Sequence, residues 1–443
     1  MTHQEMYQQR LMSADEAVSK IEPGEGLIFP IMPGEPPALL EAIGRLTTLK
    51  GNTLYRMLPS FPILDLPSDQ LKQVSIFLSG MDRKSMNNGG VDLLPNNFSD
   101  IPSILTQRES EQVIMATVSP MDENGYFSLG TSPSYVASLI DDAKKIILEV
   151  NTKMPRTFGA KNGIHISQVT ALIENNFDLP ELGSPVLGER DLAIGKEIAE
   201  MVKDGDTLQI GFGAMPNAVM EYLVDKKDLG LHTEMLPEKL VDLAAKGVIT
   251  NKYKENNTGK SVATFAIGSK RLYEFMNNNK DILMLPCDYT NSASTINELD
   301  NLVAINSSVE VDFLGQCNSE RVQGTYYSST GGQADFMKGV RGTKNGTGII
   351  CLYSTAKGES ISTIVPYLYS GAPVTTSKND IDTIVTEYGS APLKGKTIRE
   401  RTEALIRISH PKFRDELIEK ALELNYLTKD QISAIMENVS EEA

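Results

Sequence analysis

The chain has 443 residues, 40% of them apolar and 23% charged, which is the composition of a folded globular protein too long for one compact core. A net charge of −16 without any basic stripe excludes a nucleic-acid-binding role. The first 24 residues lack the apolar run of a signal peptide and no segment has the length needed to cross a bilayer, so a cytoplasmic protein with no membrane partner is expected. Cys287, Cys317 and Cys351 are widely separated and form no CxxC pair, which predicts free buried thiols. His3, His165, His232 and His410 are not spaced as ligands, so no metal site is expected.

Taken in chain order, short apolar runs alternate with helical patterns: EQVIMATVS (111–119), KIILEV (145–150), TLQIGF (207–212), DILMLP (281–286) and GTGIICLY (346–353). That alternation predicts an α/β protein with mostly parallel sheets. A joint is expected near DLPELGSPVLGERD (178–191), where Pro and Gly interrupt the periodic segments, giving domains of 1–185 and 186–443. After it, LAIGKEIAEMV (192–202) has helical periodicity, and the tail from RERTEALIRIS (399–409) through ENVSEEA (437–443) reads as helix ending in solvated acidic residues.

The two halves resemble each other. PGEGLIFPIMPGEPPALLE (23–41) and DGDTLQIGFGAMPNAVME (204–221) share a Gly–acidic start, an apolar strand, a Gly/Pro turn and an amphipathic helix. A second echo pairs AKKIILEVNTKMP (143–155) with NKDILMLPCDYTN (279–291); an internal duplication is the simplest account of both, and chance likeness of common strand–turn–helix units is the alternative.

Chemistry has few places to sit. The turn Gly211-Phe212-Gly213-Ala214-Met215 follows a predicted strand and opens a predicted helix, so backbone N–H groups can approach a ligand there; a purely structural turn is the alternative. It lacks the third glycine of a dinucleotide fingerprint. Next comes Leu231-His232-Thr233-Glu234-Met235, in which Glu234, taken alone, could equally be a solvated carboxylate and His232 a structural hydrogen-bonder. Gly331-Gly332-Gln333 lies in a run of small residues suited to close backbone approach. Lys357 and Lys378 each follow an apolar stretch, at the strand ends where open α/β sheets bind ligands, although surface lysines are common.

These segments together resemble the acetyl-CoA hydrolase/transferase family, in particular its 4-hydroxybutyrate and butyrate CoA-transferase group. The resemblance runs in order through NNFSDIPSIL (96–105), VSPMDENGYFSLG (118–130), EVNTKMPRTFG (149–159), GFGAMPNAV (211–219), HTEM (232–235), GVITN (247–251), TGGQADF (330–336), PVTTSKNDIDTIVTEYG (373–389), LKGKTIRERTEALI (393–406) and HPKFRDEL (410–417). It implies two related open α/β domains of the CoA-transferase (NagB-RpiA-like) kind, with the active site between them. It also implies coenzyme A, as acyl-CoA, and a small carboxylic acid as partners, with no metal; a homodimer or homotetramer is the expectation for a cytoplasmic enzyme of this size.

In that family the glutamate of the HTEM motif is the nucleophile, which falls on Glu234, and an asparagine orienting the thioester carbonyl falls on Asn306. The CoA-binding positions fall on Gly211, Phe212, Gly213, Ala214, Met215, Gly331, Gly332, Gln333, Lys357 and Lys378. The implied reaction is a ping-pong exchange through a glutamyl-CoA thioester, which requires Glu234 to stay ionised, so a pKa close to the ordinary carboxylate value is expected. Acyl-CoA hydrolysis by the same glutamate, or CoA binding without catalysis, are the rival readings. The chain departs from the family at Ile31–Pro36 and at Leu236–Lys239, which leaves the acid undefined; Arg56 and Arg321 are candidates for the second carboxylate of an acid such as succinate or itaconate.

Overall fold

The computed structural model describes residues 1–183, 185–429 and 431, so the acidic end expected for the tail lies outside the described residues. Two open sheets organise the chain. The first has strands β1 (Gly26–Ile28), β2 (Asn52–Met57), β3 (Leu71–Phe77), β4 (Asp92–Leu93), β5 (Gln112–Val118), β6 (Lys145–Val150) and β7 (Ala171–Glu174). Their order is β4-β3-β2-β1-β5-β6-β7, with every pair parallel. The second has β8 (Thr207–Ile210), β9 (Gly230–Leu231), β10 (Leu302–Ser307), β11 (Thr347–Cys351), β12 (Thr383–Thr386) and β13 (Gly389–Pro392). Here the order is β9-β8-β10-β11-β12-β13, and only the β12–β13 pair is antiparallel.

These strands read as near-continuous apolar runs because both sheet faces are covered. β5, QVIMATV, is buried along its whole length. One face of the first sheet packs Ile28, Tyr55, Ile114 and Leu148 and also takes in Met235, Phe265 and Cys287 from the second half, so the halves share a core. The two helices of the tail, Ile398–Arg407 and Pro411–Glu423, place Leu405, Ile406, Leu417 and Ile418 against Ile350 and Ile384. No helix among the described residues is long and apolar enough to cross a membrane.

Both sheets reverse direction beside their first strand, between β1 and β5 and between β8 and β10, and this is where open α/β sheets form ligand crevices. The first sequence echo has a structural counterpart: β1 leads through a turn into α1 (Pro37–Ile43), as β8 does into a helix at Ala214–Val219. The second echo does not. KIILEV is β6, two places from β1 on the β5 side, whereas Ile282–Met284 pairs with Ser261–Ala263, which a single bridge from His232 to Val262 joins to the β9 side. Two apolar strands looked alike but sit on opposite flanks of their switch points, because strand composition reports burial and not sheet order.

The first crevice is filled from within. Glu35, fully buried, accepts from Arg56 Nε at 2.6 Å and from the N–H and hydroxyl of Ser60, while the other Arg56 nitrogens donate to the carbonyls of Phe61 and Pro62. Glu149 at the end of β6 caps α1, accepting from Ala38 N at 3.0 Å and Leu39 N at 3.1 Å. Burial pushes its carboxyl up to about 7 against these donors and Asn175.

Candidate active site

The second crevice is open. A cleft of about 350 Å³ is walled by Met57, Leu58, Phe77 and Leu78 from the first half, and by the ends of β8 and β10 with the 327–333 loop from the second. At its base, Glu234 leaves β9 through His232 and Thr233. His232 is fully buried and its Nε2 donates to the carbonyl of Thr290 at 2.8 Å. Burial, with the charge of Lys254 nearby, pushes its pKa down to about 3, so the imidazole is neutral and structural.

Glu234 keeps partial exposure to the cleft, yet its carboxylate is enclosed. One side chain supports it: Asn291 Nδ2 donates to Oε2 at 2.8 Å. No cation pairs with it among the described residues. Burial pushes its pKa up to about 8; the Asn291 bond opposes this and the charge of Asp335 adds to it. The expectation of an ordinary carboxylate is therefore not met in the ligand-free site, because one neutral donor cannot replace the lost hydration. Asp335 is itself pushed up to about 6 by burial, against two bonds from Ser99 N (3.0 Å) and Ser99 Oγ (2.8 Å).

Gly332 makes this close arrangement fit. A Cβ there would stand 1.6 Å from Glu234 Oε2 and 2.2 Å from Asn291 Nδ2, although its backbone angles are ordinary (φ −92°). Gly331 has φ +58° and faces Phe77 from the other half. These glycines precede the helix Gln333–Val340, and Gln333 uses its Nε2 to tie Ser319 Oγ (2.9 Å) to Thr376 Oγ1 (3.0 Å).

Across the cleft, Gly211 permits contact with β10, since a Cβ would meet Ile305 O at 2.8 Å and Asn306 Oδ1 at 2.9 Å. Asn306 and Gln209 form a reciprocal amide pair: Asn306 Nδ2 donates to Gln209 Oε1 at 2.8 Å and Gln209 Nε2 to Asn306 Oδ1 at 3.2 Å. Each keeps one N–H free, and both residues line the cleft.

The structure thus brings together Glu234, Asn306, Gly211, Phe212, Gly213, Gly331, Gly332 and Gln333. Ala214 lines a neighbouring cavity of about 440 Å³ that shares Phe212, Gly213 and Met235 with the cleft. Met215 packs against the core of the second half, and the exposed Lys357 and Lys378 do not line the cleft. Neither Arg56 nor Arg321 lines the cleft. Arg56 is held as described, and Arg321 donates to the carbonyls of Gly371 and Gly324 while stacking on Tyr326. Sequence reasoning missed Asn291, Gln209, Asp335 and Arg83; an asparagine or arginine in an unremarkable segment carries no local signal of a contact made far along the chain.

Two open α/β sheets beside a cleft that holds an enclosed carboxylate, with no cation paired to it among the described residues, form an arrangement typical of an enzyme active site. The chain belongs to the acetyl-CoA hydrolase/transferase family: the family's N-terminal domain model matches residues 1–180 and its C-terminal domain model residues 268–421. Among similar proteins, the succinyl-CoA:cyclohexane-1-carboxylate CoA transferase of Geobacter metallireducens is 44% identical, over 96% of this chain and 98% of its own. The 4-hydroxybutyrate coenzyme A transferase of Clostridium kluyveri is 40% identical, over 94% and 98%. The crystal structure of RipA from Yersinia pestis, 37% identical, superposes with a TM-score of 0.89 over 96% of this chain and 100% of that one.

Proposed function

We propose that this chain is an acyl-CoA:carboxylate CoA-transferase acting between lobes 1–185 and 186–443, with Glu234 as its nucleophile. The observation that carries the reading is the state of Glu234: enclosed, supported by one amide, without a cation partner among the described residues, and open to a cleft on one side. The buried carboxylates with a structural place, Glu149 and Asp335, are each held by two or more donors, whereas Glu234 has one; a poorly solvated carboxylate of that kind is a better nucleophile than a hydrated one.

In this mechanism the ionised Glu234 attacks the acyl-CoA carbonyl carbon, the C–S bond breaks, and a mixed anhydride and CoA thiolate form. The thiolate then attacks the glutamyl carbonyl, releasing the first acid and leaving a glutamyl-CoA thioester. A second acid reverses both steps. The exchange makes and breaks the same kinds of bond, so it is nearly thermoneutral. The free N–H of Asn306 and the unpartnered N–H groups of Phe212 and Gly213 are assigned to the carbonyl oxygen as it gains charge. Gly331 and Gly332 admit the acyl group beside Glu234, and Gln333 holds the wall behind them. Lys357 and Lys378, exposed, are assigned to the phosphorylated end of coenzyme A, so Lys→Ala changes there should raise the KM for acyl-CoA and leave kcat largely intact.

The test is incubation with acetyl-CoA, borohydride trapping and peptide mass analysis. A CoA adduct on Glu234, converted by borohydride to the alcohol, supports the transferase. Acid-independent release of CoA points to water as the acceptor. No modification and no release with any donor sinks the reading.

A further inference from the structure

The cleft holds a single cation. Among its described lining residues Arg83 is the one basic side chain and Glu234 the one acidic one. Arg83 belongs to the first half, yet its Nε donates to the carbonyl of Tyr327 in the second at 2.7 Å, and its guanidinium lies over the Tyr327 ring, 3.4 Å from the centroid. Those contacts use one N–H and one face. The two terminal nitrogens have no acceptor among the described residues, and no carboxylate pairs with this arginine.

A partly buried guanidinium that is fixed by its Nε and by stacking presents its free edge in one orientation. That edge carries parallel N–H groups, the geometry that fits a carboxylate. Its surroundings also bear on the ligand. The walls of the cleft that Arg83 and Glu234 share include Met57, Leu58, Phe77 and Phe265 with the serines of 328–329, which suit a short carbon chain. The phosphates of coenzyme A lie a long pantetheine arm away from the sulfur, whereas Arg83 shares one small cleft with the nucleophile.

We propose that Arg83 binds the distal carboxylate of a dicarboxylic acid whose other carboxylate reacts at Glu234, so that this arginine sets the acid specificity. The proposal rests on the transferase reading. One carboxylate oxygen of the acid attacks the glutamyl-CoA carbonyl carbon, and the C–S bond breaks to give an acyl-glutamyl anhydride and CoA thiolate. The thiolate attacks the acid's own acyl carbon, forming the new thioester and returning Glu234 as a carboxylate. The distal carboxylate stays ionised on Arg83 throughout, and no other reactant is needed.

The experiment measures kcat/KM for malonate, succinate and glutarate against propionate and butyrate, with acetyl-CoA as donor, in the native chain, Arg83→Gln and Arg83→Lys. The native enzyme should prefer one dicarboxylate to the monocarboxylates. Arg83→Gln should lower kcat/KM for that acid about tenfold or more beyond its effect on butyrate, the loss of a charge-assisted pair. Arg83→Lys, which keeps the charge but not the fork, should fall between. Three outcomes overturn the proposal: no preference in the native enzyme, an equal loss for all acids, or a change confined to the KM for acetyl-CoA, which would make Arg83 a phosphate contact. The native series decides even if both variants fail to fold. Trapping of Glu234 by acetyl-CoA needs no acceptor acid, so success there with no dicarboxylate preference fails this proposal alone, and failure there removes the transferase reading beneath it.

Discussion

At the scale of single residues, the ionisation of Glu234 should govern rate and stability in opposite directions. Only the carboxylate is a nucleophile, so kcat/KM for acyl-CoA should rise with pH through one ionisation near 8. Folding favours the neutral form: the raised pKa stabilises the protein fully below about 4.5, and the benefit is lost as pH rises through about 8. Glu234→Gln should therefore be inactive, with a melting temperature that gains on the native enzyme between pH 5 and pH 9; a constant difference would mean that Glu234 is not buried as described. The neighbours move the ionisation in opposite senses. Asn291→Ala removes the one donor and should shift the pH–rate limb upward, whereas Asp335→Asn removes a negative charge and should shift it downward. Losing the carbonyl-orienting donor in Asn306→Ala should lower kcat by about 100-fold or more with the pH limb unmoved.

At the scale of elements, the turns before helices carry the precision. Gly332→Ala forces a methyl group into Glu234 and Asn291, so kcat should fall by about 100-fold while the circular dichroism spectrum is retained. A near-native rate would show that the 330–333 loop can move aside. Glu35→Gln tests the filled crevice: it leaves the buried Arg56 unpaired and should cost roughly 3–5 kcal/mol in chemical denaturation. What the sequence made legible at this scale was local. Strand, glycine turn and helix follow one another along the chain at 204–221, so Gly211–Gly213 and Glu234 could be found from spacing and resemblance. The clash that makes Gly332 obligatory involves a partner almost a hundred positions earlier, and no periodicity records it. Arg56 looked free because its pairing with Glu35 bridges 21 positions, and Arg321 because its acceptors are backbone carbonyls, which every sequence has and none advertises.

For the whole molecule, the α/β class followed from apolar runs separated by turns, and the parallel sheets bear this out; of the two echoes behind the duplication, only the first has a structural counterpart. Sheet order was not legible: Ile282–Met284 and β6 have similar composition on opposite flanks. Besides the shared core, several contacts between the halves lie beside the nucleophile. Phe98 N donates to Gly331 O at 3.1 Å, Cys287 Sγ to Phe98 O at 3.2 Å, and Ser99 holds Asp335. Ser99→Ala removes one donor from a buried carboxylate and should cost about 1–3 kcal/mol. Hydrogen exchange should then quicken first at residues 98–105 and 331–340, and a uniform change across both lobes would contradict this placement.

The two halves also differ in what stands at the same socket. In the first, the amides opening α1 are stoppered by Glu149, and the neighbouring Glu35 is clasped by Arg56. In the second, the N–H groups of Phe212 and Gly213, in the turn just before the helix Ala214–Val219, have no partner among the described residues. One copy thus carries its own anions as a permanent plug and serves as a rigid anvil. The other leaves its turn facing the cleft, where the proposed mechanism puts the substrate carbonyl, so a doubled architecture yields one working face rather than two.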